Sequence, residues 1–536
     1  MIKSRTHLSN TYIIPTIFAV IALLLVILTT GLYGHTWDEA LYYAGAKASV
    51  KWLYELVISW DISLLSPQSI ALSWGSVLDG NDPLHPEVSP LPKLITGFGT
   101  LFLDDHQNPM FLMRLPIAIA FAMSVFMLAR LGIQHIGSYL PGVIYMFLPR
   151  VFGHAHIAAS ETLSVFFVLL LTTYILSTKR TNIFILACCI AALFLTKITL
   201  VSVLVPLFLW TAICTTRQQT FRFIVASGLS LLLTFALYPV FWHESFSQLS
   251  EYINFYMQHQ RTAVFFLSQK FGYVYNQTAP WYYAVVIFCL SLPAVLLPFF
   301  ILGSCSIFKQ SSAIMKLFFF MFLIPILLTM IPNAPRYDGE RLFLVAFPFA
   351  AIIIAYGVKR FSVLCAIAFS CSLTGRRVLA IATTLLIILF CAYYTVTDSP
   401  TQLDYYNSLI GGHRGATKHG FETTYWGQSL NRETLSWINQ NLEQNATLQP
   451  LAFEILALRN LQSWGNLRDD IIIEDTNISH NKNTYCILQC RQGFWNRGEQ
   501  RLHFTHRPVF ALESKDGTPF CEVFRTPQDA SLRQQP

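Results

Sequence analysis

The sequence has little charge. Lys, Arg, Asp and Glu make up 12% of its 536 residues, whereas hydrophobic residues make up 54%. Soluble globular domains carry roughly 25% charged residues, so a soluble protein of this length is excluded. Apolar runs long enough to cross about 30 Å of hydrocarbon recur about eleven times between residues 12 and 397. The sequence therefore predicts a polytopic α-helical membrane protein with about eleven transmembrane helices.

Other features are absent. The first apolar run, 12–33, lacks a small-residue cleavage pattern and is longer than a signal-peptide core, so we expect a retained span. No repeat of 20 to 50 residues occurs. No CxxC motif or Cys/His metal spacing occurs either, so a divalent metal ion remains an open cofactor without assigned ligands. Three cysteines lie in the tail, Cys486, Cys490 and Cys521, where one disulfide of undetermined pairing could form.

Some apolar runs are clearly bounded and others are not. The best defined are 12–33, 114–133, 162–176, 223–242, 283–307, 316–331, 342–358 and 378–396. Three are less certain, namely 139–148, 183–196 and 198–215, the last two of which could form one hairpin.

Basic residues mark every second boundary between these runs, which assigns those boundaries to the cytoplasm. The N-terminus is then inside, and an odd number of spans leaves the tail outside. Because the net charge of +7 is largely this topogenic charge, it predicts no nucleic-acid partner. The basic residues concerned are Lys3, Arg5, Arg130, Lys179, Arg180, Arg217, Arg222, Lys309, Lys316, Lys359, Arg360, Arg376 and Arg377.

Composition divides the chain in two. Residues 1–397 form the predicted transmembrane domain, with two long external segments at 35–113 and 243–282. The tryptophans and prolines of the first segment are typical of interfacial helices. From about residue 398 the composition is that of a soluble domain, so 398–536 predicts an α/β domain on the non-cytoplasmic side.

Nearly all unusual polar residues fall on the predicted outer side. Ionisable groups at membrane depth are costly and usually functional, so we expect them to share a cavity at the outer interface. They are Asp38, Glu39, His85, Lys93, His154, His156, Glu161, Lys197, His259, Arg261, Arg336, Asp338 and Arg341.

Acids and bases in this set suggest different roles. Asp38 is the expected general base for an acceptor hydroxyl, whose pKa is far above 7. Glu39 could orient Asp38, bind a metal or face away, and both acids could instead only begin a helix. Cations at headgroup depth suit a lipid phosphate. The expected phosphate-binding residues are Lys93, Lys197, Arg261 and Arg341.

Each of these cations has a simpler alternative. Lys93 could snorkel at the interface, and Lys197 could mark a hairpin turn. Arg341 could be an interfacial anchor neutralised by Asp338 and Glu340.

The remaining polar and aromatic residues are less specific. Glu161, a third candidate catalytic acid, could equally cap a helix. His154 and His156 do not share a helix face, which disfavours a metal site made by the pair. Aromatic rings and amides often line sugar sites but are more often core. The expected substrate-binding residues are His85, His259, Tyr337, Asp338, Tyr425 and Trp426, with Tyr405, Tyr406 and Asn407 as further tail candidates.

The order of motifs resembles a known family. It is similar to the dolichyl-phosphate-mannose protein mannosyltransferase-like glycosyltransferases of the C-type superfamily, glycosyltransferase family 39, to which lipid A aminoarabinose transferases are related. The likeness covers about residues 12–430. It rests on HTWDEALYY, HPEVSPLPKL, AHIAASETLSVFF, LFLTKIT, TAPWYY, YDGERLFLVAFPF and DYYNSLIGGHRGATKHGFETTYWG.

The resemblance implies an inverting transfer of one sugar from a polyprenyl-phosphate donor to an acceptor hydroxyl on a protein, lipid or glycan. The reaction would take place on the outer face of a bacterial inner membrane. Asp38 and Glu161 match the family's two acidic positions, and Lys93 and Arg341 match positions near the donor phosphate. Glu161 stands where relatives commonly have Asp, and residues 85–87 read HPE where relatives have HPP.

Two rival functions share this chemistry. A transporter or flippase of a lipid-linked sugar would also place cations near phosphate, but it should show internal repeats and polar residues at mid-membrane. A ligase that moves a preassembled glycan would use the same site.

Overall fold

The computed structural model describes residues 2–75, 89–104, 106–178, 180–258, 262–272, 275–310, 312–370, 372–474 and 483–526. The α-helices are α1 Ile2–Thr29, α2 Trp37–Ser59, α3 Pro67–Trp74, α4 Pro90–Gly97, α5 Met110–His135, α6 Leu140–Met146, α7 Pro149–His154, α8 Ser160–Ser177, α9 Ile183–Thr196, α10 Leu204–Cys214, α11 Arg217–Leu237, α12 Ser245–Gln258, α13 Tyr283–Ser291, α14 Leu297–Gln310, α15 Ala313–Met330, α16 Phe347–Ala368, α17 Leu373–Thr397, α18 Gly412–Lys418, α19 Arg432–Asn441, α20 Ile455–Ser463 and α21 Arg497–Thr505. The strands are β1 Val264–Phe266, β2 Gln269–Phe271, β3 Thr447–Leu451, β4 Ile472–Ile473, β5 Thr484–Gln489, β6 Phe510–Glu513 and β7 Pro519–Arg525.

Long apolar helices dominate the first three quarters of the chain. Within the described residues, seven helices are long and apolar enough to cross a membrane, and the α13–α14 pair makes an eighth if it counts as one span. The helices α9 and α10 are apolar but shorter. The apolar run at 139–148 contains only the seven-residue α6, which is about 10 Å long and too short to cross alone. The prediction of a polytopic helical membrane protein holds, whereas the count of eleven spans stays a prediction.

The α13–α14 pair is bent by 105°. Pro293 follows Leu292 at the bend, where proline cannot continue the helical hydrogen bonds. The freed carbonyls find a partner in the tail, because the Asn407 side-chain nitrogen donates to Cys289 O at 2.7 Å and to Leu292 O at 2.8 Å. Asn407 is fully buried here, so its role in this structure is to satisfy the bend.

The helix pair α14–α16 packs backbone against backbone. A Cβ atom on Gly303 would lie 2.1 Å from Ile353 O, and one on Gly357 would lie 1.9 Å from Phe299 O. Such approach requires glycine at both positions, as is common between helices in membranes.

The two ends of the bundle carry different polar residues. Glu161 at the start of α8 contacts Lys197 after α9 and Arg341 ahead of α16. Lys359 lies within α16, about three turns after its start, and its ammonium donates to Ile136 O just after the end of α5 at 2.7 Å. The candidate site and this contact therefore lie at different levels along the bundle, and the compartment that each end faces stays a prediction.

The two segments predicted to be external contain helices, as expected for the first of them. Trp52 on α2 packs edge-on against Trp74 on α3 with ring centroids 5.7 Å apart, while Ile58 and Trp60 are exposed. This pattern suits a helix that lies along a membrane surface. In the second segment α12 is followed by the β1–β2 hairpin, which the sequence analysis did not predict.

The tail contains the predicted α/β domain. Its five strands have the order β4-β3-β5-β7-β6, with β3 parallel to β4 and β5 and the other pairs antiparallel. Cys490 and Cys521 are buried free thiols, and no disulfide joins the tail cysteines that the structure describes. Before the sheet begins, Leu403, Tyr406 and Phe421 pack into the same apolar core as the membrane helices. The domain boundary near 398 stays a prediction.

Candidate active site

Arg341 is the centre of the candidate site. Its guanidinium forms ion pairs with Asp38, with Glu161 Oε1 at 3.0 Å and with Asp338 Oδ2 at 3.1 Å. The same group lies over the Trp426 ring, 4.7 Å from the ring centroid. A planar fork of five donors can satisfy several carboxylates at once. The structure thus brings together five residues that the sequence analysis selected separately.

The start of α2 explains how Asp38 reaches this cluster. Thr36 caps the helix, because its hydroxyl accepts from the Glu39 amide at 3.3 Å and the Glu39 carboxylate accepts from the Thr36 amide at 3.1 Å. Neighbouring residues on a helix point about 100° apart, so Asp38 and Glu39 face different partners. One turn after Asp38, the Tyr42 hydroxyl donates to Asp38 Oδ2 at 2.9 Å and accepts from Arg341 at 2.8 Å.

Glu39 lies outside the Arg341 cluster and is fully buried. Arg114 donates to its two oxygens at 2.7 and 2.6 Å, and the Ala158 amide donates at 2.8 Å. Burial alone would raise the pKa of Glu39, but the Arg114 guanidinium outweighs it and holds the pKa well below its usual range. Glu39 therefore binds α2 to α5, and a catalytic role for it stays a prediction.

Glu161 joins two predicted cations. Its Oε1 atom accepts from Arg341 and from the Lys197 ammonium, the latter at 3.3 Å. Its Oε2 atom is buried and has no hydrogen-bond partner within the described residues. Glu161 lies in the first turn of α8, but its carboxylate forms ion pairs with these cations. In this structure it therefore acts as an ion-pair partner and not simply as a helix cap.

A residue from the tail completes the cluster. Arg491 follows β5, and its guanidinium reaches Asp338 Oδ1 at 2.5 Å, so the two oxygens of Asp338 bridge Arg341 and Arg491. Arg491 also stacks on Phe494 at 4.1 Å and on Trp37 at 5.4 Å. Sequence reasoning missed Arg491, because 150 residues separate it from Arg341 and no local pattern marks it.

Lys93 lies along the same face of α2 as Asp38. Its ammonium donates to Trp74 O at 3.2 Å, and its side chain packs against Gly45, where a Cβ atom would lie 3.4 Å from Lys93 Cε. Gly45 follows Asp38 by two helical turns, which is about 10 Å along the axis. Lys93 therefore lies beside α2, about two helical turns after Asp38.

A second buried cluster adjoins the first. Arg150 forms an ion pair with Glu340, whose other oxygen is 3.0 Å from His154 Nε2. Arg150 also donates to Tyr405 O at 2.8 Å and lies 5.4 Å from the Tyr425 ring centroid. His154 and Tyr425, both predicted to serve the site, belong to this second cluster.

Gly339 separates the two clusters. It adopts φ +62°, and a Cβ atom here would lie 2.7 Å from the Arg150 Nη1 atom. The backbone turn sends Asp338 to Arg341 and Glu340 to Arg150. The suggestion that both acids neutralise Arg341 is thus wrong for Glu340.

The structure describes some of the other predicted residues, and the rest lie outside the described ranges. His156 stacks on Tyr33 at 3.9 Å and lies 2.7 Å from the Thr29 hydroxyl, away from His154's partner Glu340. Tyr337 is buried next to Asp338, and Arg336 donates to the Ala279 and Thr329 carbonyls. His85, His259 and Arg261 lie outside the described residues.

A small cavity adjoins the Arg341 cluster. Its volume is about 90 Å³, and Glu161, Lys197 and Arg341 line its polar end while Pro325 and Leu328 line its apolar side. Polar and apolar walls in one cavity suit a ligand with a charged head and an apolar body. In the described part of the chain, the three-donor group close enough to hold a metal ion lies instead in the tail domain.

No protein-family description and no curated protein matches the chain. Among solved structures, ArnT from Cupriavidus metallidurans bound to undecaprenyl phosphate matches over 97% of this chain and 99% of its own, with 11% identity and a TM-score of 0.49. The same protein in the apo state matches over 97% and 98%, with 11% identity and a TM-score of 0.46. The function proposed below therefore rests on this chain's own residues.

Proposed function

We propose that this protein is an inverting glycosyltransferase that moves a single sugar from a polyprenyl-phosphate donor to an acceptor hydroxyl at the outer face of a bacterial inner membrane. One observation carries the proposal. A single arginine at one end of an apolar helix bundle holds three carboxylates, with a lysine beside it and a cavity of mixed polarity adjoining. Acids for a nucleophile and cations for a leaving phosphate are thus in contact.

The charges suggest how donor binding starts the reaction. Within the described residues, three cations, Lys197, Arg341 and Arg491, face three carboxylates, Asp38, Glu161 and Asp338. A donor phosphate that takes hydrogen bonds from Arg341 must compete with Asp38 for it. Binding of the phosphate therefore releases Asp38 from its cation, which raises its basicity at the moment when a base is required.

The transfer itself is a single displacement. The acceptor oxygen forms a bond to the anomeric carbon as the bond from that carbon to the phosphate oxygen breaks. Polyprenyl phosphate leaves with the electron pair, and Arg341 and Lys197 stabilise its developing charge. Asp38 accepts the acceptor's proton. Glu161 stays bound to both cations and fixes their positions, so a retaining path with Glu161 as nucleophile is disfavoured.

The rival transporter reading places its polar residues elsewhere. Transporters bind substrate near mid-membrane at the interface of internal repeats. Here the cluster lies where α8 begins and α9 ends, at one end of the bundle. This position favours transfer at a surface over passage through the bundle.

The test uses the purified full chain in lipid bilayers with radiolabelled hexosyl and pentosyl polyprenyl phosphates. Release of free polyprenyl phosphate that depends on Asp38 supports a transferase, and movement of intact labelled lipid between leaflets would support the transporter instead. A parallel reaction with a polyprenyl-linked preassembled glycan, in which the size of the moved glycan is measured, separates transfer of one sugar from ligation. The same assay with a chelator tests whether a divalent cofactor is required.

A further inference from the structure

Three potential metal ligands meet in the tail domain, next to the segment that presents Arg491. Cys490 follows β5, Glu522 lies on β7 and His503 lies on α21. The Cys490 sulfur, a ring nitrogen of His503 and a carboxylate oxygen of Glu522 all lie within 4.8 Å of one another. They come from three separate elements, so no short motif announces them.

Strand register explains two of the three. Leu488 pairs with Glu522, and the Cys490 amide donates to Phe520 O at 2.9 Å, which continues the ladder past the end of β5. Cys490 and Glu522 are therefore diagonal neighbours on one face of the sheet. The helix α21 covers this face through its one buried residue, Leu502, and brings His503 with it.

The surroundings make this group unusual. Cys490 and Glu522 are 1% and 6% exposed, and the neighbouring apolar side chains include Leu488, Trp495 and Phe524. A buried carboxylate is costly unless paired. His503 Nδ1 lies 2.6 Å from Glu522 Oε2, so a simple histidine–carboxylate pair is one way to satisfy it. That pair alone gives Cys490 no role.

We propose that Cys490, His503 and Glu522 bind a zinc ion. Sulfur, imidazole nitrogen and carboxylate oxygen are the three ligand types that zinc takes in proteins, and a water would complete a tetrahedral site. One thiolate and one carboxylate also neutralise the two charges of Zn²⁺, which suits a site among apolar side chains. On binding, the Cys490 thiol releases its proton to solvent, and His503 carries its ring proton on Nε2 so that the Nδ1 lone pair faces the ion.

The ion would have a mechanical consequence. With Leu502 as its one buried residue, α21 has little apolar attachment to the sheet, and a shared ion would fix it to β5 and β7. The residue after Cys490 is Arg491, which reaches Asp338 in the membrane domain. Zinc would therefore also fix the segment that presents Arg491.

The test is a cobalt and zinc titration of the purified full chain after removal of metals with a chelator. We expect one Co²⁺ per chain with a sulfur-to-cobalt charge-transfer absorption, displacement of Co²⁺ by Zn²⁺, and a higher thermal unfolding midpoint with Zn²⁺. Cys490→Ser should abolish the charge-transfer absorption and weaken Zn²⁺ binding by about 100-fold or more. Cys521→Ser is the matched control, since Cys521 is a fully buried thiol that packs in a different apolar cluster from Cys490 and should leave binding unchanged.

Absence of the charge-transfer absorption in the natural chain would overturn the proposal, as would identical binding by Cys490→Ser. Should Cys490→Ser fail to fold, Glu522→Gln provides the second test, because glutamine keeps the shape and the hydrogen bond to His503 but not the charge. Unchanged Zn²⁺ affinity in Glu522→Gln would contradict ligation by this residue and leave only the histidine–carboxylate pair.

Discussion

Asp38→Asn separates donor binding from chemistry. The substitution keeps the size of the side chain and its contact with Tyr42 but removes the proton acceptor. General bases contribute about 10²- to 10⁴-fold in rate, so we expect turnover to fall by that factor, which corresponds to about 3 to 5 kcal/mol of lost transition-state stabilisation.

Donor affinity should respond in the opposite direction. In the natural chain Asp38 competes with the donor phosphate for Arg341, and both side chains are nearly buried, at 14% and 13% exposure. Removing the competing charge should leave the dissociation constant of the donor unchanged or lower it, because the phosphate then meets no rival carboxylate at Arg341.

The assay combines release of polyprenyl phosphate under single-turnover conditions with equilibrium binding of the labelled donor. Glu55→Gln is the matched control, because Glu55 lies on the same helix in an exposed pair with Lys51. Turnover of Asp38→Asn within threefold of the control would refute the base assignment. Donor binding weakened by more than tenfold would refute the competition for Arg341.

Three further outcomes are expected. Arg491→Gln should lower turnover by about 10- to 100-fold through misplacement of the site while donor affinity changes little. Arg525→Gln, at the exposed last position of β7, should match the natural chain in the same assay. Glu340→Gln should lower the free energy of unfolding by about 3 to 5 kcal/mol, and with it the thermal unfolding midpoint, because it leaves Arg150 buried without its anion. The apolar double variant Arg150→Met with Glu340→Leu should recover more than half of that loss. Burial raises the pKa of Glu422 from 4.5 to about 8, so the folded chain binds an extra proton between these values and its stability should fall as pH rises from 5 to 8. Denaturation midpoints of Glu422→Gln should show a weaker fall across this range, and an identical slope would contradict the assignment.

The sequence predicted that several residues of the candidate cluster lie at the same end of the bundle, because this follows from membrane topology alone. Asp38, Glu161 and Arg341 each stand where an apolar run begins or ends, and the alternation of basic loops places all three at one end of the bundle. Once helices are packed side by side, residues at the same end are near one another whatever their separation in sequence.

The partners could not be predicted in the same way. Arg491 comes from a domain whose docking depends on tertiary packing. Glu340 turns from Arg341 to Arg150 because two consecutive residues, Asp338 and Gly339, adopt positive φ. The bend at Pro293 and the shortness of α6 also escaped the apolar pattern, since hydropathy reports composition and not helix direction.

The segment after the last membrane helix has a practical consequence for protein engineering. The Arg341 guanidinium lies over the Trp426 ring, and the Trp426 carbonyl accepts a hydrogen bond from the Trp37 amide at 3.0 Å. Leu430 pairs with His35 in an isolated β-bridge. A chimera joined at residue 398 would replace the ring on which Arg341 lies together with the tail. Grafting a foreign tail without harming the Arg341 cluster requires a junction after residue 430 and a transplanted arginine equivalent to Arg491.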